Sequence, residues 1–186
     1  PPLAMLGHAL RSRGRLAEAL AQYERALDIR ERHEPDDAAG IGLCVNNVAS
    51  LLEEQGNLVA ARAAFDRALK LFEAALPPGH PHLAVVLNNL GMLLRSVGSL
   101  REARTLVERA LAIDEAAYGK EHPEVATDAN NLGMILEAEG ARDEARALYG
   151  RALRIWEARG GASHPAVATG LNNLAGLEQR SGNLGV

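Results

Sequence analysis

The chain has 186 residues, 47% of them apolar and 24% charged, with a formal charge of −4 and a single cysteine, Cys44. That balance disfavours nucleic acid, whose phosphates call for a concentrated basic face, and one cysteine excludes a disulfide framework or a thiolate zinc cluster. No apolar run approaches the roughly 18 residues of a membrane span and no secretory leader opens the sequence, which points to a cytoplasmic protein without membrane contact. The abrupt start at Pro1 and stop at Val186 leave room for signals or partner domains beyond them.

Aromatic residues are only 3% while alanine and leucine abound, a mix that favours close-packed helices over sheets. In chain order, apolar residues at helical spacing predict pairs of helices, A then B, divided by a glycine. The first A helix carries Gly7 and ends by Gly14, and its B helix starts near Leu16. The second pair starts near Ile41 and Leu58, on either side of Gly56. The third A helix runs from about Leu83 to about Val97, with Leu87, Leu90, Gly91 and Leu94 on one face and Gly98 as C-cap. Its B helix begins near Ser99 and ends near Tyr118-Gly119. The fourth pair starts near Val125 and Ala141, and a last A helix starts near Ala166, with no B partner and Gly182 after it.

These pairs repeat every 42 residues. Asn-Asn occurs at Asn46-Asn47, Asn88-Asn89, Asn130-Asn131 and Asn172-Asn173; His-Pro at His80-Pro81, His122-Pro123 and His164-Pro165; Arg-Ala-Leu from Arg25, Arg67, Arg109 and Arg151. Four series in one register, counting the glycines, define a single array: 1–40 a degenerate first repeat, 41–82, 83–124 and 125–166 the next three, and 167–186 a lone helix A. The prolines fit the first turn of helix A, where a missing N–H costs nothing. Small residues recur where helices must touch: Gly7, Ala49, Gly91, Gly133 and Ala175 in helix A, and Ala19, Ala61, Ala103 and Ala145 in helix B. Tyr23, Phe65, Leu106 and Leu148 are the bulky residues expected to interlock with them. One pair cannot bury its own stripe, so stacking supplies the core.

The small-residue slots, the aromatics Tyr23 and Phe65 and the glycine at the A–B turn resemble the tetratricopeptide pattern. The 42-residue period, with Asn-Asn in helix A and His-Pro before it, is similar to the repeats of kinesin light chain and its bacterial relatives. The string from His122-Pro123 through Asn130-Asn131-Leu132-Gly133 to Arg151-Ala152-Leu153 carries the resemblance, which covers essentially the whole chain. It implies an all-α, right-handed superhelical solenoid of antiparallel helix pairs, whose A helices line a concave groove that receives a peptide or partner helix. The chain departs from the pattern at Ala4-Met5 and Ala38-Ala39, which replace Asn-Asn and His-Pro, at Glu178 in place of an inward leucine, and at Arg142 in place of the leucine seen at Leu16, Leu58 and Leu100.

The helix wheel locates a candidate ligand face without the family. Opposite the core face of the third A helix lie Val85, Asn89, Met92 and Ser96. The equivalents are Leu43, Asn47, Ser50 and Glu54; Thr127, Asn131, Met134 and Ala138; and Thr169, Asn173, Gly176 and Arg180. Asparagine mid-helix costs up to roughly 0.7 kcal/mol against alanine, so eight of them require an offset. In one reading Asn47, Asn89, Asn131 and Asn173 form an amide ladder that pairs with an extended peptide backbone. In the other, the amides bond between adjacent A helices, the reading favoured for Asn46, Asn88, Asn130 and Asn172. Ser50, Val85 and Thr127 line the same stripe, with Met92 and Met134 as adaptable apolar contacts. Arg95 and Arg180 sit at its rim among Glu53, Glu54 and Glu137, a mixture unlike a dedicated carboxylate clamp.

Catalysis has no support. No phosphate-binding glycine loop, G-x-S-x-G or H-E-x-x-H occurs. The repeated histidines fall on successive repeats at least 8–10 Å apart, whereas metal ligands converge within about 2 Å of the ion, so each histidine is expected to cap or pack its linker. Asp66 with Lys70 and Arg104 with Glu108 read as surface ion pairs. No cofactor is expected. The sequence therefore reads as a protein–protein interaction scaffold that binds a peptide or partner segment. Two alternatives are a sensor array contacting an effector domain of its own chain, and end-to-end self-association through helix ends.

Overall fold

A computed structural model describes residues 2–161 and 165–180. Among them are nine helices and no strand: α1 Pro2–Arg11, α2 Leu16–His33, α3 Ala38–Glu54, α4 Leu58–Ala75, α5 Pro81–Ser96, α6 Leu100–Tyr118, α7 Pro123–Glu139, α8 Arg142–Gly160 and α9 Pro165–Arg180. The chain packs as two compact units, Pro1–Leu93 and Leu94–Val186.

Local sequence sets the helix ends. α5, α7 and α9 each begin on the proline of a His-Pro step, which loses no helical hydrogen bond there. The B helices start just after a glycine turn. Gly140 has φ 87°, and the turn closes with the Ala141 N–H donating to Leu136 O at 2.9 Å. Gly56 has φ 78°, with the Asn57 N–H on Leu52 O at 2.8 Å. A side chain at either position would resist this left-handed backbone. Asp37 caps α3 by accepting from Gly40 N at 2.9 Å, and Asn57 caps α4 by accepting from Ala60 N at 3.3 Å. His164 and Gly182, members of the repeated series, lie outside the described residues.

In the first unit, α1 packs on α2, α2 on α3 and α3 on α4. Its core includes Leu10, Ala19, Tyr23, Val48 and Leu51, with Phe65 and Phe72 buried nearby in sequence. The Tyr23 ring lies over Gly7 so closely that a Cβ there would come within 2.6 Å of Cε1. In the second unit, α6 packs on α7, α7 on α8 and α8 on α9, around Val125, Ala129, Ala152, Ile155 and Trp156. The Tyr149 ring covers Gly133, where a Cβ would meet Cε1 at 2.8 Å.

That contact corrects the expected interlock by one residue. The 42-residue step from Tyr23 and Phe65 leads to Val107 and Tyr149, both wholly buried. Leu106 and Leu148, the expected occupants, are only half-buried. A bulky apolar side chain next to the slot looks equivalent in sequence, but 100° of helical rotation separates neighbours.

Salt bridges add links between neighbouring repeats. Arg67 pairs with Glu31 in the first unit, and Arg151 with Glu115 at 2.5 Å in the second. Both arginines open Arg-Ala-Leu, and both acids lie 36 residues earlier, on the preceding B helix. At the Glu178 position the partner explains the lost leucine, because Arg146 Nε donates to Glu178 Oε1 at 2.5 Å. Of the expected surface pairs, Arg104 and Glu108 meet at 2.7 Å. Asp66 lies 3.9 Å from Arg62. Partly exposed pairs of this kind contribute little individually, about 0–1 kcal/mol.

Candidate functional site

The stripe opposite the core is where the helix wheel places it. Val85 is 47% exposed and Leu43 41%; Thr127, Ala138, Thr169 and Arg180 are exposed, while Ser50, Met92, Met134 and Arg95 are half-buried. Two hydroxyls on it turn back into their own helices, Ser50 Oγ to Asn46 O at 3.1 Å and Thr127 Oγ1 to Pro123 O at 3.2 Å.

The paired asparagines divide by position in the first three pairs, but Asn172 in α9, expected to bond between A helices, is exposed. Asn46, Asn88 and Asn130 are buried, and Asn47, Asn89, Asn131 and Asn173 are half-buried. Within the first unit Asn89 Nδ2 donates to Asn46 Oδ1 at 3.2 Å, and within the second Asn173 Nδ2 donates to Asn130 Oδ1 at 2.7 Å. Each bond joins the second asparagine of one repeat to the first of the repeat before it. The reading in which amides bond between A helices therefore holds for these pairs, and it offsets the helix-propensity cost of Asn46 and Asn130. One such bond uses only part of an amide's capacity, since the group has two donors and an acceptor with two lone pairs. Asn130 Nδ2 also lies 3.7 Å from Met134 Sδ.

In the second unit the stripe borders a cavity of about 400 Å³. α7 contributes Met134, Glu137 and Ala138, α8 contributes Arg142 and Tyr149, α9 contributes Asn173 and Arg180, and Arg95 completes the lining. Three guanidinium groups thus face one carboxylate. Glu137 is held by Arg180, whose Nε donates at 2.8 Å, and by the Tyr149 hydroxyl, which donates to Oε2 at 2.8 Å. Burial, and then that hydrogen bond, hold the Tyr149 phenol well above its ordinary pKa, so it remains a donor. Arg95 Nε is buried without a hydrogen-bond partner. A guanidinium N–H in that condition is an unmet donor, costly unless an acceptor arrives.

The sequence reads the rim as a mixture of Arg95 and Arg180 with glutamates, unlike a dedicated carboxylate clamp, and Glu137 lines the same cavity as both arginines. Arg95 and Arg180 do share a space, and Arg142 joins them. The sign of it in the sequence is the arginine standing where the other B helices start with leucine. Arg95 and Glu137 occupy the same repeat position, 42 residues apart, so one position supplies the cavity with both signs of charge. Tyr149 was not legible as a site residue because the interlock was expected one residue away.

A second cavity, of about 320 Å³, lies in the first unit among Ala4, His8, Arg30, Gly40, Leu43, Cys44 and Asn47. Its Arg30 is engaged by Asp37 and by Glu34, the latter at 3.0 Å. Burial raises the Cys44 thiol above its ordinary pKa although Arg30 acts against it, which keeps it a packed thiol and not a reactive thiolate.

His122 and His80 cap the helices that follow them. His122 Nδ1 accepts from Glu124 N at 3.3 Å and the ring stacks on Tyr118 with centroids 4.5 Å apart. His80 Nδ1 accepts from His82 N at 3.2 Å. An imidazole nitrogen that accepts has no proton to give there. Among the described residues, no group of three His, Cys, Asp or Glu side chains is placed to hold a metal ion, and no helix is long and apolar enough to cross a membrane.

Comparison with known proteins places this geometry in context. Tetratricopeptide-repeat profiles match residues 3–37, 43–116, 84–158 and 128–185. No curated protein matches the sequence. Among solved structures, BtubC (BKLC) from P. vanneervenii is similar with a TM-score of 0.85 at 22% identity, over 97% of this chain and 72% of that one. A Podosopora anserina protein described as a kinesin light chain with nearly identical TPR-like repeats gives 0.81 at 20%, over 98% and 87%. The apo form of RapI gives 0.74 at 17%, over 97% and 48%. At these identities the likeness is one of fold: an all-α solenoid of helix pairs.

Proposed function

Because the chain belongs to the tetratricopeptide repeat family, whose arrays generally bind protein partners and are generally non-catalytic, we propose that it holds a peptide or partner segment against its A helices and selects an acidic residue in it. The observation that carries this reading is the cavity of the second unit, where Arg95, Arg142 and Arg180 face Glu137 alone and Arg95 Nε lacks an acceptor. A carboxylate entering there meets guanidinium donors in a partly desolvated space, where charge-assisted hydrogen bonds are strongest. Met134 gives adaptable apolar contact beside it. Within the second unit Thr127, Asn131 and Asn173, and within the first unit Asn47, Ser50, Val85, Asn89 and Met92, supply amides, hydroxyls and apolar area for such a segment. The protein acts in the cytoplasm, with no cofactor, nucleic acid or membrane in its work.

Selection from a random peptide library tests this. The expected result is enrichment of peptides with Asp or Glu at one fixed position, whose affinity falls as salt rises from 50 to about 500 mM through screening. Enrichment of basic or purely apolar peptides would remove the acidic anchor from the proposal.

A further inference from the structure

A different feature of the second unit stands outside the peptide face. Asp114 on α6 and Asp128 on α7 are both buried, 4% and 2% exposed, and their side chains are hydrogen-bonded to each other. Two carboxylates cannot share a hydrogen bond unless one carries a proton. The other oxygen of the first, Asp114 Oδ1, is buried with no hydrogen-bond partner.

The repeat makes the pair anomalous. Stepping by 42 residues, the Asp114 position is occupied by Arg30, Phe72 and Trp156, and the Asp128 position by Cys44, Val86 and Gly170. In the second and fourth repeats this slot takes a large aromatic, Phe72 or Trp156, both buried; an added Cβ at Gly170 would touch Trp156 at 3.3 Å. Only the third repeat places two acids there. Apolar residues would pack this joint without any proton, so the acids introduce a dependence that the scaffold does not need.

Glu124, at the start of α7, raises the Asp114 pKa further, and His122 in the α6–α7 turn acts in the opposite sense. Glu115, the next residue on α6, is taken by Arg151 of α8.

We infer that the α6–α7 joint is a proton-dependent latch, closed while the buried Asp114–Asp128 pair is protonated and loosened as Asp114 ionises. The titration falls in a useful range: burial first, and Glu124 next, raise Asp114 to about 6 from the ordinary 3.8, against the lowering effect of Asp128 and His122. With the folded value raised, the folded chain holds the extra proton. The stabilisation is complete below about pH 4 and is lost as pH rises through 6. α7 carries Thr127, Asn131 and Met134, so loosening it reaches the peptide face, although the latch does not rest on what that face binds.

Asp114→Asn keeps that position neutral at every pH. The experiment is thermal and urea unfolding of wild type and variant from pH 4 to 7.5, with hydrogen exchange of α6 and α7 at pH 5 and pH 7. The gap between the two proteins cancels the other carboxylates and histidines. The unfolding constant of wild type is expected to rise relative to the variant by roughly 10- to 100-fold across this interval. Wild-type α6 and α7 amides should lose protection at the higher pH, after correction for intrinsic rates, while variant amides keep it. Curves that run parallel at every pH would overturn the latch. If Asp114→Asn does not fold, Asp128→Asn is measured in the same way; failure of both to fold would show that a neutral pair cannot close the joint, and would overturn it equally.

Discussion

Tyr149→Ala is expected to destabilise the chain by ~4 kcal/mol, the range for deleting a buried aromatic ring. The ring is wholly buried, covers Gly133 in the α7–α8 contact, and donates its hydroxyl to Glu137. Alanine would leave a void beside a glycine, where no neighbouring Cβ can fill it. Tyr149→Phe separates packing from hydrogen bonding. It should cost only about 1 kcal/mol, because Arg180 still holds Glu137 and Phe65 already serves at the equivalent position in the second repeat. Chemical denaturation of the three proteins checks both numbers. Equal losses for the alanine and phenylalanine variants would mean that the hydroxyl, not the ring, holds the joint.

The second large effect concerns binding. For a peptide selected with an acidic residue, Arg95→Ala and Arg142→Ala should each weaken affinity by ~10- to 100-fold, the loss of one charge-assisted hydrogen bond of about 1.5–3 kcal/mol. Arg95→Lys should recover only part of the loss, since an ammonium keeps the charge but not the planar fork. Glu137→Gln should tighten binding by removing the one carboxylate that competes for the arginines. Isothermal titration of these variants against the acidic peptide and its Gln counterpart checks the set. An unchanged affinity in both alanine variants would place the peptide elsewhere.

Much of this was readable from the chain alone, and the reason is periodicity. Helix starts followed from Pro81, Pro123 and Pro165, turns from Gly56, Gly98 and Gly140, and the core stripe from Leu87, Leu90, Gly91 and Leu94, since each is a local backbone or single-helix property. Residues whose meaning depends on a partner helix were harder. Arg67 and Arg151 were visible as members of a series, but their partners Glu31 and Glu115 lie 36 residues away on another helix. The Asn46–Asn89 and Asn130–Asn173 bonds span 43 residues, one more than the period, so matching equivalent positions never brings them together. Tyr149 was lost to a one-residue shift in the slot. The acid pair Asp114–Asp128 breaks no helical pattern and shows its oddity only beside Phe72 and Trp156.

The most direct test of the peptide-binding account is backbone amide NMR of the chain titrated with a selected acidic peptide. The account predicts the largest shifts at Thr127, Asn131, Met134 and Asn173 and at the side-chain Nε–H of Arg95, with the outer face of α8 around Arg154 and Glu157 unmoved. Shifts concentrated on that outer face, with α7 and Arg95 silent, would contradict it.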